Sequence, residues 1–459
     1  MPGLLQRNER AITAARPGPE RALLLAQRVV AAHDAAAARI ACADRPVAAR
    51  YATVAIVGAH GVMVSIMAMT PVHLLHHGAT LTIVGLTISL HIAGMYGLSP
   101  VFGLLADRWG RKRVLGITII GYTVSSLCSG LAQGVVSFAL CQLLARMFLI
   151  AEWAVAIVYA AEEFPAQRRG MVIGVIQASA SLGAIVCSAL VPLLLRTSLG
   201  WRSVYFLGSL PLLLVALLRR RLRETQRFAS WSSDSLLQKI PLEQSFLRIF
   251  RTPYRNRVLV LALIWTLSYC GIGNVITFWK ELALSARGMT DAQAASLISG
   301  AAVLGMPLTY FVGKVLDRVG RRNGAVIIFI AAAIATLGSA SFADHSVILA
   351  SLVLCVITVT GSQVVLNAFT AELFPTELRS SAFAWSNNLL GRIGMVASPA
   401  LVGMLAERSG YVVALQAIAV FPLLALLFIV AMLPETRGRE LEDTAKLAKG
   451  RVSASEGKP

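Results

Sequence analysis

Residues 103–113 read Gly-Leu-Leu-Ala-Asp-Arg-Trp-Gly-Arg-Lys-Arg, and residues 313–322 read Gly-Lys-Val-Leu-Asp-Arg-Val-Gly-Arg-Arg. Gly103, Asp107, Gly110 and Arg111 thus return as Gly313, Asp317, Gly320 and Arg321, each 210 positions later. A second run, Glu162-Glu-Phe-Pro-Ala-Gln-Arg-Arg169, returns at the same offset as Glu372-Leu-Phe-Pro-Thr-Glu-Leu-Arg379, and Gly200 returns as Gly410. One constant offset across separate motifs marks a duplicated unit.

What lies between the motifs is apolar. The 459-residue chain is 56% hydrophobic and 14% charged, where a soluble domain carries about 25% charge. Its mean hydropathy is +0.70. A membrane-spanning helix needs about 20 apolar residues. Such runs fall near 51–70, 80–105, 113–133, 136–161, 170–195 and 201–219, then near 257–280, 292–314, 323–342, 346–370, 380–406 and 411–433. Inside a bilayer every backbone group must be satisfied within the protein. These runs show no two-residue alternation, so helices satisfy it rather than a barrel. The expected fold is an all-α membrane protein with twelve transmembrane helices in two six-helix pseudo-repeats.

A net charge of +19 taken alone suits a nucleic-acid partner, but its placement points to a membrane. With both termini inside, 35 of the 42 Lys and Arg fall in cytoplasmic segments. Five fall outside (Arg196, Arg202, Lys280, Arg287, Arg408) and two, Arg146 and Arg392, within helices. That is the positive-inside pattern, and it predicts a multi-pass inner-membrane protein with both termini cytoplasmic. The expected segments are a cytoplasmic tail (1–50), an N-terminal bundle (51–219), a cytoplasmic linker (220–256), a C-terminal bundle (257–433) and a cytoplasmic tail (434–459). The Arg- and Ala-rich first 50 residues lack the uninterrupted apolar core of a signal peptide.

The paired Gly, Asp-Arg and Gly-Arg-Lys pattern, including Arg108 and Arg318, resembles that of the major facilitator superfamily, over about residues 51–445. The resemblance implies transport by alternating access, with a substrate site between the halves near the midplane. It also implies that Asp107 and Asp317 act as latches holding an outward-open state; a static loop staple is the alternative. The Glu-x-x-Pro-x-x-x-Arg runs that join Glu162 to Arg169 and Glu372 to Arg379 resemble sugar porters and metabolite:proton symporters. So does Pro434-Glu-Thr-Arg-Gly438, with Arg223-Glu-Thr225 as its weaker counterpart. These endings favour an uptake porter over a proton-driven drug or metabolite exporter, the second reading. A non-transporting nutrient sensor is the reading from another class.

Ionisable groups inside a membrane helix are costly and normally face a cavity or a partner. Glu152, in span 4, is the first candidate for proton coupling, with a structural pairing to a buried Arg as the alternative; His91 is the second. Glu152-Trp153 resembles the Glu-Trp or Glu-Tyr of metabolite:proton symporters, although Gln142 stands where those proteins usually carry Arg. Candidate substrate contacts are Arg146, Gln177, Asn274, Gln363, Asn367, Asn387 and Arg392. Gln363 and Asn367 share a helix face at i, i+4, and Gln177 and Asn387 are again 210 apart. Hydrogen bonding between helices is the alternative for the neutral groups.

No cofactor is expected. The six cysteines lack metal-ligand spacing, and His73, His76 and His77 have no acidic or cysteine neighbour. No Gly-Lys-Ser/Thr phosphate loop is present and no nucleophile–base constellation argues for an enzyme. The expected partners are a small-molecule substrate, protons and the lipid bilayer, not nucleic acid, and a single chain holds both halves and can work as a monomer.

Overall fold

The computed structural model describes residues 94–446, apart from 134, 179–192, 195, 201, 220–222 and 235–245. The first expected span, most of the second and His91 therefore lie outside the described residues.

The described chain is helical. The first half contributes α1 (Ser99–Trp109), α2 (Arg111–Leu131), α3 (Val135–Glu163), α4 (Arg169–Ala178) and α5 (Arg202–Arg219). A short helix α6 (Gln226–Asp234) follows in the linker. The second half holds α7 (Arg255–Gly271), α8 (Asn274–Arg287), α9 (Asp291–Val319), α10 (Arg321–Ser341) and α11 (His345–Glu372). Then α12 (Arg379–Phe383) widens into a π-helical stretch (Ala384–Gly391) and runs into α13 (Ile393–Ile418) and α14 (Val420–Met432). A last short helix, α15 (Leu441–Lys446), closes the described chain.

Among the described residues seven helical stretches are long and apolar enough to cross a membrane. One of them, Arg379–Met432, has 54 residues, enough for two crossings. It is broken at Gly410, whose φ of 80° and ψ of 160° are not helical. Outward faces carry Leu131, Val303, Phe311, Ile334 and Leu427, all more than half exposed in the bare protein, as a lipid-facing surface requires.

Two local features set the geometry of the charged end. Single glycines, Gly110 and Gly320, separate α1 from α2 and α9 from α10, at φ 96° and 105°, values that only glycine adopts readily. Helices α3 and α11 stop at Glu163 and Glu372, just before Pro165 and Pro375, because the residue ahead of a proline disfavours helical backbone.

One span departs from expectation. The continuous helix predicted over 257–280 is two helices, α7 and α8, interrupted at Ile272 and Gly273, where Gly273 has φ 108°. The polar side chain two residues upstream of Ile276 holds the break together: Asn274 Nδ2 donates to the carbonyls of Cys270 (2.6 Å) and Tyr269 (3.3 Å), and its Oδ1 accepts from the Ser398 hydroxyl (3.2 Å).

Candidate functional site

At the charged end the duplicated motifs form two buried clusters that reach across the halves. Asp107, at the end of α1, accepts the backbone N–H of Ser380 (3.0 Å) and Ser381 (2.7 Å) at the start of α12. Asp317, at the end of α9, accepts the N–H of Gly170 (2.9 Å) and Met171 (2.7 Å) at the start of α4. Both carboxylates sit where the unpaired N–H groups of a helix N-terminus favour negative charge.

Arginines knit the carboxylates together. Arg111 Nη2 lies 2.9 Å from Glu162 and 3.4 Å from Asp107, and Arg379 of the second half meets the same Glu162 oxygen at 2.5 Å. Arg321 lies 2.8 Å from Asp317 and 3.0 Å from Glu372, and Arg169 of the first half meets Glu372 at 3.2 Å. Four guanidinium groups face four carboxylates. All four arginines are at most 1% exposed. Such pairing is what makes burial of charge tolerable, since losing one partner strands the other. Arg108 is half-buried and Arg318 exposed beside them.

Four residues complete the clusters. Glu224 accepts the N–H of Arg111 (3.0 Å) and Lys112 (3.1 Å), and Glu435 accepts those of Arg321 (2.8 Å) and Arg322 (2.9 Å), so each caps the helix that follows a motif glycine. A Cβ on Gly110 would come within 2.2 Å of Glu224 Oε2, and one on Gly320 within 2.7 Å of Glu435 Oε2. Burial alone would raise the Glu435 carboxyl, but the N–H groups of Arg321, Arg322, Arg437 and Thr436 hold it below the ordinary value of 4.5. Thr225 donates to Glu162 (2.7 Å), and Thr436 makes the same contact to Glu372.

From this end a polar seam runs inward between α1 and the helix that starts at Arg379. Gly103 lies so close that a Cβ on it would sit 2.7 Å from both Ser380 O and Ala384 Cβ. Asn388 donates to the Ser99 hydroxyl at 2.7 Å. One turn further, the Arg392 guanidinium carbon lies over the Tyr96 ring at 4.4 Å and the Tyr269 ring at 4.3 Å. The Tyr269 hydroxyl donates to Asn387 Oδ1 (2.9 Å) and interacts with Gln363, and Tyr269 stacks on Trp265 at 5.3 Å. Trp265 in turn donates to Thr370 at 3.1 Å.

The structure thus gathers Gln363, Asn387 and Arg392 around Tyr269. Asn367, wholly buried, lies one turn along α11 from Gln363. Asn274 is close by but spends its amide on the helix break. Arg146 is elsewhere: it lines a small pocket with Tyr122, Ser126, Gln142, Leu149 and Tyr205, on α2, α3 and α5. Gln177 is half-buried on α4, and Glu152 is 3% exposed on α3, next to Trp153, whose ring meets Phe383 edge-on at 5.6 Å.

The profile of the Major Facilitator Superfamily matches residues 52–399 and again 261–456. The chain belongs to the major facilitator superfamily. It is a multi-pass membrane transporter with the twelve-helix, two-half fold of that superfamily, and not an enzyme. It is 27% identical over 366 residues to the probable 4-methylmuconolactone transporter of Cupriavidus pinatubonensis, covering 78% of this chain and 82% of that one. It is likewise 27% identical over 362 residues to the putative niacin/nicotinamide transporter NiaP of Bacillus subtilis, covering 77% and 87%. Its fold matches that of the proton:xylose symporter XylE with a TM-score of 0.72 at 17% identity, over 87% of this chain and 98% of that one.

Proposed function

We propose that this major facilitator protein moves a small hydrophilic metabolite, an organic acid or sugar-like solute, by proton-coupled alternating access. The observation that carries the reading is the crossed bonding at the charged end. Asp107 with Ser380 and Ser381, Asp317 with Gly170 and Met171, Arg379 with Glu162 and Arg169 with Glu372 each join one half to the other. A set of contacts that closes one end, and that must be broken to open it, is what a two-state gate requires. The excess of Lys and Arg at this end supports its assignment to the cytoplasmic side of the inner membrane, and in that reading the state described is the one closed to the cytoplasm. The relatives named for 4-methylmuconolactone and for niacin support an organic acid, and the fold match to a proton:xylose symporter supports proton coupling.

Glu152 is the coupling carboxylate in this reading, with His91 as the second protonatable group. Arg146, Gln177, Asn274, Gln363, Asn367, Asn387 and Arg392 supply the polar contacts to substrate. Uptake of a labelled organic-acid and sugar library into proteoliposomes, with and without an inward proton gradient, tests the function. Accumulation that collapses on adding a protonophore is expected, and the absence of gradient-dependent accumulation for every solute would sink the reading. Ser230→Cys should react with an impermeant thiol reagent only from the cytoplasmic side and Ala292→Cys only from outside.

A further inference from the structure

Arg392 differs from every arginine of the gate. Each of those meets a carboxylate, whereas no carboxylate among the described residues lies within ion-pair distance of Arg392. It stands thirteen residues beyond Arg379, about 20 Å along the helix at a 1.5 Å rise. There its charge is held by the Tyr96 ring of the first half and the Tyr269 ring of the second. Cation–π contact stabilises a desolvated guanidinium but consumes none of its N–H donors.

Those donors are nearly unspent. Nη1 turns to the Met395 sulfur at 3.2 Å, a weak acceptor, and the buried Nε has no hydrogen-bond partner. A guanidinium edge with open donors in apolar surroundings is a receptor for a carboxylate, which it can take through two parallel hydrogen bonds. The rings beside it are flat and aromatic: Tyr96 and Tyr269, with the fully buried Trp265 stacked behind Tyr269 at an interplanar angle of 21°. Behind them Asn367 is wholly buried with neither amide atom hydrogen-bonded, and Asn387 Nδ2 is also without a partner. A native interior seldom leaves amides in this state unless something else satisfies them.

The cluster is also one-sided. The residues 210 positions away from Arg392 and Tyr96 are Leu182 and Met306, so the duplicated half offers neither the cation nor the ring. A ligand with one charged end and one flat end matches that asymmetry.

We propose that Arg392 anchors the carboxylate of a planar, unsaturated acid. The acid's π-system lies beside the Tyr96 and Tyr269 rings, and the unpartnered amides of Asn367 and Asn387 take its polar substituents. The proposal rests on the transport reading and names the substrate class of the same site.

Binding to the full-length protein in lipid nanodiscs tests it, measured by equilibrium dialysis with benzoate, nicotinate and sorbate as probes. Cyclohexanecarboxylate keeps the charge without the flat ring, and benzamide keeps the ring without the charge. At least one planar acid should bind tenfold or more tightly than both controls. Arg392→Gln should lower that affinity more than tenfold, Arg392→Lys should recover part of it, and Tyr96→Phe should stay within about twofold while Tyr96→Leu loses several-fold. Should Arg392→Gln fail to fold, the Tyr96 pair and the wild-type preference for planar acids still decide the matter. The site assignment falls if wild type binds none of the three acids, if it prefers the saturated acid, or if Arg392→Gln binds as tightly. Tight planar-acid binding without gradient-driven uptake would keep the site and remove the transport reading. Gradient-driven uptake of another solute, untouched by Arg392→Gln, would do the reverse.

Discussion

Asp107 and Asp317 do the same work in opposite directions. Each lies at the end of a helix in its own half and accepts two consecutive backbone N–H groups from the start of a helix in the other half, at 2.7–3.0 Å. The second copy of the motif, with Lys314 and Val319 where the first has Leu104 and Trp109, is as fully engaged as the first.

Both latches should therefore matter. Asp107→Asn and Asp317→Asn each keep an oxygen acceptor but lose the charge, which in hydrogen bonds to charged groups contributes about 1.5–3 kcal/mol. That corresponds to a shift of roughly tenfold or more toward the form open at the charged end. Cysteine accessibility along the closed seam, read at Ser99→Cys, should rise in both variants. Wild-type accessibility and wild-type transport together would reduce the two aspartates to loop staples.

Glu162 and Glu372 hold more. Glu162 pairs with both Arg111 and Arg379, one from each half, and Arg111 has Asp107 at 3.4 Å as a second partner. Glu162→Gln strands the buried Arg379 and leaves Arg111 only its longer contact to Asp107, and breaking a buried pair this way costs about 3–5 kcal/mol. The purified variant should unfold at a lower temperature than Asp107→Asn, and the Glu162→Gln/Glu372→Gln double variant at a lower one still. An unchanged melting temperature would mean that water already shares those charges.

Glu152→Gln mimics a protonated carboxyl with little change of size. The expected result is loss of proton-driven accumulation with substrate binding and gradient-free exchange retained. Full accumulation with an unchanged pH profile would move the coupling proton elsewhere, with His91 next in line.

The C-terminal helix docks on the linker through Arg227, whose guanidinium meets Glu440 at 2.6 Å and also contacts Glu442. Burial would raise the Glu442 carboxyl, but Arg227 holds it below the usual 4.5. A depressed carboxylate stabilises the docked form above its undocked pKa, and that stabilisation fades as pH falls through the lower, docked value. Hydrogen-exchange protection over 441–446, taken relative to the intrinsic rate at each pH, should therefore be flat from about pH 5.5 to 8 and fall only in acid below the ordinary glutamate range. Arg227→Ala should lower that protection at every pH above the acid range; protection that already falls between pH 8 and 6 would implicate a different group.

Most of the charged cluster was legible because its residues come as two copies at one spacing. What spacing could not reveal was the crossing. Arg379 and Arg169 follow identical motifs, so sequence alone gives no reason for Arg379 to choose Glu162 over Glu372. The caps Glu224 and Glu435 escaped for a simpler reason: they are 211 apart, one residue out of step with the repeat, and only the Glu-Thr pair at 224–225 and 435–436 hinted at them. The meeting of Arg392 with Tyr96 leaves no trace at all, since it joins unlike residues 296 positions apart that have no counterpart in the duplicated half. The break in span 7 was hidden because the apolar run resumes at Val275, directly after Gly273 and Asn274.

The two seams beyond the latches are unlike. On one side Gly313 and Gly170 bring bare backbone against backbone, so close that a Cβ on Gly313 would sit 2.3 Å from the Gly170 carbonyl oxygen. On the other, Ser99 with Asn388 and Tyr96 with Arg392 add rung after rung of polar contact. Halves joined in this way would part like the covers of a book. Along its described part the Gly170–Gly313 side, where backbone meets backbone, would be the spine, and the α1 side the fore-edge.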